Sequence, residues 1–426
     1  MTTAAEGLVS EEDRLALAGL SRLVEPPGSA LSAFVGRVGP QAAWRADIER
    51  RAPRPVLAAS AARTDGVDWD TARRQAEADL ATADRVGAVL LTPADPAWPA
   101  AALTGLAGAM ARGVTGSSPP LALWLRGRLP AVLPATGVTI VGSRACSPYG
   151  RRVAGELGAD LSARGRTVIS GAAFGVDTAA HYGALSACRP GDGVPTVAVL
   201  ACGIDRAYPE ANRELIDRIA ADGAVLTEYP PGTRPARHRF LVRNRLIAAL
   251  GAGTVVVEAG RRSGTLSTAA AADHQGRLVM AIPGPVTSAL SVGCHLLLAD
   301  RFAQLVTGAD DVLAVLGERL PAVPAVGPDA VDPHHPTDGL PPDVARVYDA
   351  LPTAAWTDVH ALVVESGVVG PTVIRGLTVL ELHGLAERRG PQWRRCRPGQ
   401  PGLPFRPPDV PSGPAAPSDD PLRVAP

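Results

Sequence analysis

Six short apolar runs recur at regular intervals along the chain, and segments of helical composition separate them. The runs lie at residues 138–141, 167–169, 196–200, 224–226, 253–257 and 278–282. Continuous runs rich in β-branched residues, with helices between them, are typical of a parallel sheet that is covered on both faces. The pattern therefore predicts an α/β fold with a doubly wound parallel sheet, whose core lies at about residues 130–310.

The segments that flank this core differ from it in composition. Residues 8–50 suit short helices interrupted by Pro-Pro-Gly and Val-Gly-Pro turns, which could form a helix-hairpin-helix-like module or a docking bundle. Beyond residue 342, three short helices and a basic hairpin follow in the order of a winged helix. The predicted organisation is an N-terminal helical (helix-hairpin-helix or SAM-like) module at 1–60, the sheet domain with its N-terminal extension at 61–315, a linker at 316–342, a winged-helix domain at 343–397 and a disordered tail at 398–426.

Arginine is concentrated just before the fifth apolar run. No acid occurs between Glu228 and Glu258, where His238 and Phe240 are accompanied by five arginines, Arg234, Arg237, Arg239, Arg243 and Arg245. The formal net charge of the whole chain is +0, so this excess is local. Such a segment suits the binding of phosphates and bases, although a solvated loop and helix face would have the same composition.

The residues that follow the strands are the first candidates for a binding site, because ligands of open parallel sheets lie beyond the carboxyl ends of the strands. Arg144 follows the first run and suits a phosphate contact or, alternatively, a surface salt bridge. Gly171 and Gly175 follow the second run and would let the backbone approach a ligand closely. Asp177 belongs to that site or is only a favourable charge in a first helical turn.

Two further candidate groups lie in and after the arginine-rich segment. Phe240 beside Arg243 and Arg245 would combine base stacking with phosphate contacts, unless Phe240 simply fills the core. The Arg-Ser-Gly sequence at 262–264 precedes a predicted helix, whose N-terminus favours an anion. Strand-exit arginines, above all Arg144 and Arg243, are therefore the predicted electrostatic anchors for a single-stranded nucleic acid.

Several catalytic classes do not fit this chain. All 42 basic residues are arginines, which excludes a Walker lysine, a Schiff-base lysine and a lysine general base; codon bias is the simplest reason for the missing lysine. Ser170, Asp177 and His181 fall within 12 residues of one loop and helix, a poor arrangement for a catalytic triad. The eight histidines show no metal-ligand spacing. We therefore expect no catalytic residue, no metal and no cofactor, in a protein that is not an enzyme.

The expected location is the cytoplasm. The five cysteines are widely spaced and form no Cys-x-x-Cys pair, which suits reduced thiols. The N-terminal residues include early acids and no apolar h-region, and no apolar run reaches about 18 residues. Neither a signal peptide nor a membrane span is therefore expected.

Seven motifs occur in the order typical of a known family. They are Val141-Gly142-Ser143-Arg144, Ser170-Gly171 to Asp177, Tyr208-Pro209, Glu228-Tyr229-Pro230, Arg243-Asn244-Arg245, Arg262-Ser263-Gly264-Thr265 and Pro283-Gly284. Each motif alone is weak, whereas seven in register are highly specific. From about residue 87 to residue 383, the chain resembles the DNA-processing protein A family, also called Smf.

The resemblance implies a Rossmann-like domain that forms a homodimer and binds single-stranded DNA. It also implies a cytoplasmic protein that protects incoming strands in natural transformation and loads a RecA-type recombinase. The implied DNA-binding residues are Gly142, Ser143, Arg144, Gly171, Gly175, Arg239, Phe240, Arg243, Asn244, Arg245, Arg262, Ser263 and Gly264. The chain departs from the family pattern at Phe174, where arginine is usual, at His295, where asparagine is usual, and at Ala299-Asp300, where Gly-Ala is typical.

Two other functions compete with this interpretation. A nucleotide or phosphoribosyl-nucleotide hydrolase of the lysine-decarboxylase-like type would have a Pro-Gly-Gly-x-Gly-Thr loop, of which only fragments occur, at 263–265 and 283–285. A winged-helix transcription factor would need a basic third helix, but residues 371–383 have one arginine, Arg375, against Glu381. That domain therefore suits a protein contact, and its only basic surface is a hairpin with Arg388, Arg389, Arg394 and Arg395.

Overall fold

The computed structural model describes residues 10–317 and 336–396, except for residues 131, 132, 134, 190–192 and 338. The chain divides into two compact units, Met1–Pro321 and Ala322–Pro426. The predicted tail at 398–426 and most of the predicted linker at 316–342 lie outside the described residues.

A large, mostly parallel sheet forms the centre of the first unit. Its strands are β1 (Ala88–Leu91), β2 (Leu123–Gly127), β3 (Gly137–Val141), β4 (Thr167–Ser170), β5 (Thr196–Leu200), β6 (Ala224–Thr227), β7 (Gly253–Val256), β8 (Leu278–Ala281) and β9 (Gln304–Leu305). Their order across the sheet is β1-β2-β6-β5-β4-β3-β7-β8-β9. Strands β3 to β9 are parallel, whereas β1 and β2 join the β6 edge in antiparallel pairing. Each predicted apolar run forms a strand, which confirms the mixed α/β fold and its parallel sheet.

The strand order reverses at β3. The chain moves outward from β3 through β4 and β5 to β6, and then returns to the other side of β3 with β7. Val141 at the end of β3 pairs with Val256 at the end of β7. Because the chain leaves these two neighbours towards opposite ends of the sheet, a crevice opens beyond their carboxyl ends.

The helices of the first unit cover both faces of the sheet. They are α1 (Glu11–Leu23), α2 (Ser29–Val38), α3 (Pro40–Ile48), α4 (Arg54–Thr64), α5 (Trp69–Arg85), α6 (Ala100–Ala111), α7 (Pro148–Ala163), α8 (Val176–Ala187), α9 (Arg213–Asp222), α10 (Arg237–Leu250), α11 (Thr265–His274), α12 (Val292–Ala299) and α13 (Ala309–Val315). Val138 and Ile140 of β3 pack with α7 and α8, whereas Val141 packs on the opposite face with α10 and α11. This alternation follows from the two-residue period of a strand that is buried on both sides.

The N-terminal helices pack around the buried ring of Trp44. Gly19 of α1 lets this ring come close, because a Cβ at that position would overlap the indole. The same hydrophobic core includes Leu90 of β1 and Val225 of β6. The helices before the sheet therefore share a core with it, and α4 crosses the position where the sequence predicts a domain boundary, between residues 60 and 61.

The second unit combines three helices with a small antiparallel sheet. Its elements are α14 (Pro342–Ala350), β10 (Thr357–Asp358), α15 (Val359–Ser366), α16 (Gly370–Leu382), β11 (Ala386–Arg389) and β12 (Gln392–Arg395), with strand order β10-β12-β11. Val347, Leu377 and Trp393 lie in their common core.

Within the described ranges, no single helix has the length and apolar composition needed to cross a membrane. Helices α15 and α16, which are bent by 103° relative to each other, have that length and composition only when they are taken together.

Candidate nucleic-acid interface

A cleft of about 890 Å³ lies beyond the carboxyl ends of β3 and β7, where the strand order reverses. Its walls are the loop after β3, the first turns of α10 and the segment that leads into α11. Nine of the predicted site residues line it: Gly142, Ser143, Arg144, Phe240, Arg243, Asn244, Arg262, Ser263 and Gly264. Residues that are up to 122 positions apart in the sequence therefore meet at one edge of the sheet.

Glu258, just after β7, holds the loop that carries Arg144. The Glu258 side chain is buried and accepts hydrogen bonds from the backbone N–H of Ser147, at 2.9 Å, and from the Ser147 hydroxyl. Ser147 in turn caps α7 by accepting from the N–H of Gly150, at 3.1 Å. A Cβ at Gly150 would overlap the Glu258 carboxylate. The carboxylate therefore has a positioning role, which the sequence pattern alone did not indicate.

Arg144 and two aromatic rings form an accessible group at the mouth of the cleft. The Arg144 guanidinium is exposed and lies 4.9 Å from the centroid of the half-buried Phe240 ring. The Tyr208 ring lies 5.3 Å from Phe240, with an angle of 44° between the rings, and is 42% exposed. Phe240 thus lies at the surface of the cleft rather than in the core. Tyr208 is a site residue that sequence reasoning did not select, although it belongs to one of the seven motifs.

Arg243 occupies a different environment from Arg144. It is buried, and its Nη1 donates to the carbonyl oxygens of Gly171, at 2.9 Å, and of Val199. Burial lowers the pKa of Arg243 to about 10, partly offset by the nearby carboxylate of Asp177. The prediction that Arg243 is a free electrostatic anchor is therefore corrected: part of its hydrogen-bonding capacity fixes the ends of β4 and β5.

The two glycines that follow β4 have structural roles. A Cβ at Gly171 would overlap the Arg243 guanidinium, so Gly171 makes room for an arginine rather than for a ligand. Gly175 has a φ of +79° and lies against the carbonyl of Ser143, which keeps the β3 loop close to α8. Asp177 is buried and accepts from the N–H groups of Gly171, at 3.2 Å, and Ala173, at 3.4 Å. Burial raises the pKa of Asp177, against the influence of Arg243.

Arg239 and Arg245 do not reach the cleft, contrary to the prediction. Arg239 forms a double ion pair with Glu25, in the loop between α1 and α2, at 2.6 and 3.0 Å. Burial would raise the pKa of Glu25, but hydrogen bonds from Arg239 and from Arg63 lower it to about 2. Arg245 is buried and donates to Glu228, at 2.8 Å, and to a backbone carbonyl, at 3.1 Å. Both arginines therefore stabilise the fold through carboxylates outside their own segment.

The remaining wall of the cleft is polar and positively charged. Arg237, at the start of α10, and Arg262, before α11, are exposed. Asn244 donates to the hydroxyl of Ser267, at 2.9 Å, which joins α10 to the first turn of α11. Among the residues that the structure describes, no carboxylate forms an ion pair with Arg144, Arg237 or Arg262. Three arginines and a helix N-terminus thus face the same space, and this is an arrangement suited to anions.

In the described part of the chain, no hydrogen bond joins Ser170 to His181, as a catalytic triad would require. The Ser170 hydroxyl donates to the carbonyl of Ile140, at 2.7 Å. His181 is fully buried against the hydroxyl of Thr196, at 2.7 Å, and burial lowers its pKa to about 3. In the described part of the chain, no group of three or more His, Cys, Asp or Glu side chains could hold a metal ion.

Comparisons with known proteins identify the family of this chain. Residues 89–317 match the model of the DNA recombination-mediator protein A family. The putative DNA processing protein DprA of Mycobacterium tuberculosis is 44% identical over 386 residues, covering 90% of this chain and 95% of the relative. Protein Smf of Escherichia coli is 36% identical over 272 residues, covering 62% of this chain and 69% of the relative.

A solved structure extends the match to the fold. The X-ray structure of DNA processing protein A from Streptococcus pneumoniae superposes with a TM-score of 0.55 and 30% identity, covering 72% of this chain and 98% of that one. These matches confirm the resemblance inferred from the seven motifs. The chain belongs to the DNA recombination-mediator protein A family.

Proposed function

We propose that this protein binds single-stranded DNA in the cleft beyond β3 and β7. In this proposal it acts in the cytoplasm, protects incoming strands and loads a RecA-type recombinase during natural transformation and recombination. The observation that carries the DNA-binding part is the accessible pair of rings, Phe240 and Tyr208, with the Arg144 guanidinium beside them. Membership of the family supports the wider role.

The chemistry of the cleft favours single strands over duplex. A base can stack on Phe240 or Tyr208 only when its face is free, which is the case in an unpaired strand. Stacking of one base on an aromatic side chain contributes about 1–3 kcal/mol and depends little on sequence. The exposed arginines at positions 144, 237 and 262 supply phosphate contacts along the same path.

The cleft carboxylates support binding rather than hydrolysis. Glu258 accepts two hydrogen bonds from Ser147, and Asp177 is buried beside Arg243. Neither side chain is free to activate a water, as the alternative nucleotide hydrolase would require.

We extend the proposal to the fold type of both units. The reversal of strand order between β3 and β7 supports a Rossmann-like, doubly wound sheet. In the second unit, the order helix, strand, two helices and hairpin supports a winged helix. Two of its four hairpin arginines are engaged, since Arg394 pairs with Glu387 and Arg395 donates to the carbonyl of Tyr348, at 2.8 Å. The winged helix would therefore contact protein rather than DNA.

We also propose a homodimer that forms through the β9 edge of the sheet. Among the residues that the structure describes, strand β9 pairs only with β8, and Leu305 on it is 56% exposed. Leu296 and Phe302 nearby in the chain are 37% and 36% exposed. An unpaired strand edge with exposed apolar side chains is the kind of surface that proteins cover by association.

The central test is replacement of Arg144 by alanine. We expect affinity for an oligothymidylate to fall about 10- to 100-fold, because one charge-assisted contact to phosphate is lost. The slope of log affinity against log salt should decrease by about 0.7, and wild-type protein should bind blunt duplex more weakly than single strands. The melting temperature should not change, since Arg144 is exposed. Fluorescence anisotropy over a salt series measures the affinities and the slope, and thermal unfolding measures the melting temperature.

Arg74→Ala is the matched control for that experiment. Arg74 is exposed on α5 and donates to the hydroxyl of Thr71, at 3.0 Å. Its removal takes away the same charge outside the cleft and should leave DNA affinity unchanged. Equal losses in the two variants, or tighter binding of duplex than of single strands by the wild-type protein, would contradict the proposed function.

A further inference from the structure

A second depression, which we call the helical groove, adjoins the cleft. It runs over α7 and α8, encloses about 1000 Å³, and shares Arg144 and Ala145 with the cleft. The two spaces are therefore neighbours across the β3 loop. A chain molecule that leaves the cleft past Arg144 therefore reaches the edge of the helical groove.

Small residues keep the floor of the helical groove low. Helices α7 and α8 pack closely because a Cβ at Gly183 would overlap the carbonyl of Gly155, and one at Gly158 would overlap that of Ala180. The floor is accordingly lined by small side chains, including Ala159. Close helix packing through glycine thus leaves small side chains along this part of the groove.

Two exposed rings stand along this surface. Phe174, just before α8, is 48% exposed, and Tyr182, in the second turn of α8, is 43% exposed. The guanidinium of Arg218, from α9, lies 5.9 Å from the centroid of the Tyr182 ring. This pairing of an exposed ring with an arginine repeats the arrangement of Phe240 and Arg144 in the cleft.

The charges of the helical groove are also those of a phosphate path. Arg144, Arg151 and Arg218 line it and are exposed. The carboxylate that lines it, Glu156, is paired with Arg152 at 2.8 Å. In the described ranges neither Arg151 nor Arg218 has a carboxylate partner. The groove therefore has a local excess of positive charge although the chain as a whole is neutral.

We propose that the single strand bound in the cleft continues into the helical groove, where its bases stack on Phe174 and Tyr182. This inference rests on the proposed function and adds a second binding segment to it. The phosphates contact Arg151 and Arg218, and Arg144 lies at the junction between the two segments. A strand long enough to span both segments is bound more tightly than one that fills the cleft alone.

The test compares two oligothymidylates, one of about 5 and one of about 15 nucleotides, chosen to fill one or both segments. Anisotropy titrations use the full-length protein and the variant Phe174→Ala/Tyr182→Ala. We expect this variant to bind the long strand about tenfold or more weakly and the short strand as the wild type does. Phe174→Trp, which keeps a stacking face, should retain the affinity for the long strand.

Arg218→Ala should reproduce the loss for the long strand, whereas Arg213→Ala on the same helix is the control. Arg213 is exposed and paired with Glu210, at 2.7 Å, outside the helical groove. Unchanged affinity of the double variant for the long strand, or equal losses for both strands, would overturn this inference alone. Failure of the wild-type protein to bind either strand would overturn the proposed function and the inference with it.

Discussion

Replacement of Arg243 by alanine is expected to lower the free energy of unfolding by about 3–5 kcal/mol and to weaken binding of single-stranded DNA. The substitution leaves the carbonyls of Gly171 and Val199 without their donor and leaves the buried Asp177 without its neighbouring positive charge. Both effects are costs of unpaired buried polar groups. Denaturant unfolding and anisotropy on the same preparation measure the two losses.

Two further variants identify which lost contacts cause the loss of stability at this position. Arg243→Lys keeps a positive charge but lacks the planar fork, so it should recover only part of the stability. Asp177→Asn combined with Arg243→Ala removes the unpaired carboxylate and should be more stable than Arg243→Ala alone. A variant Arg243→Ala that retains the wild-type melting temperature would show that the buried hydrogen bonds contribute little.

Replacement of Glu228 by alanine is expected to lower the free energy of unfolding by about 3–5 kcal/mol, because the guanidinium of Arg245 stays buried without its carboxylate. The two side chains are 9% and 5% exposed and their atoms are 2.8 Å apart. Once the variant is folded, its affinity for single-stranded DNA should equal that of the wild type. Denaturant unfolding measures the free energy of unfolding, and anisotropy at low temperature measures the affinity for single-stranded DNA.

Controls for this ion pair come from its removal and from an exposed counterpart. The double variant Glu228→Leu/Arg245→Met replaces both charges by apolar groups and should recover much of the lost stability. Arg213→Ala, which breaks the exposed pair with Glu210, should leave the free energy of unfolding nearly unchanged, because solvent screens the two charges. A loss of DNA affinity in the folded double variant would show that Arg245 contributes to DNA binding, and would contradict its purely structural role.

The sheet and the position of the cleft follow from the amino-acid sequence alone. Continuous β-branched runs between helices have few stable arrangements other than a covered parallel sheet. Because the carboxyl ends of parallel strands meet at one edge, the order of the runs is enough to assign residues after two strands, such as Ser143 and Ser263, to one site. The seven motifs lie at strand ends and in loops. Their order along the chain was therefore enough to identify the family.

Which arginines face the ligand depends on contacts that form only in the folded chain. The segment between Glu228 and Glu258 contains no acid, so all of its arginines looked equally available. Folding brings Glu25 to Arg239 across 214 residues and buries Arg245 on Glu228. The helical period of α10 then turns Arg237, Phe240 and Asn244 to the cleft.

The exposed rings of the helical groove are likewise brought together by helix packing. Phe174, Tyr182 and Arg218 come from a loop and two helices, and no spacing in the sequence relates them. They share a surface because glycines let α7 and α8 pack closely beside α9. Local pattern thus determines which elements form, whereas the pairing of charges and the alignment of surface rings depend on contacts between distant segments, which the local sequence does not encode.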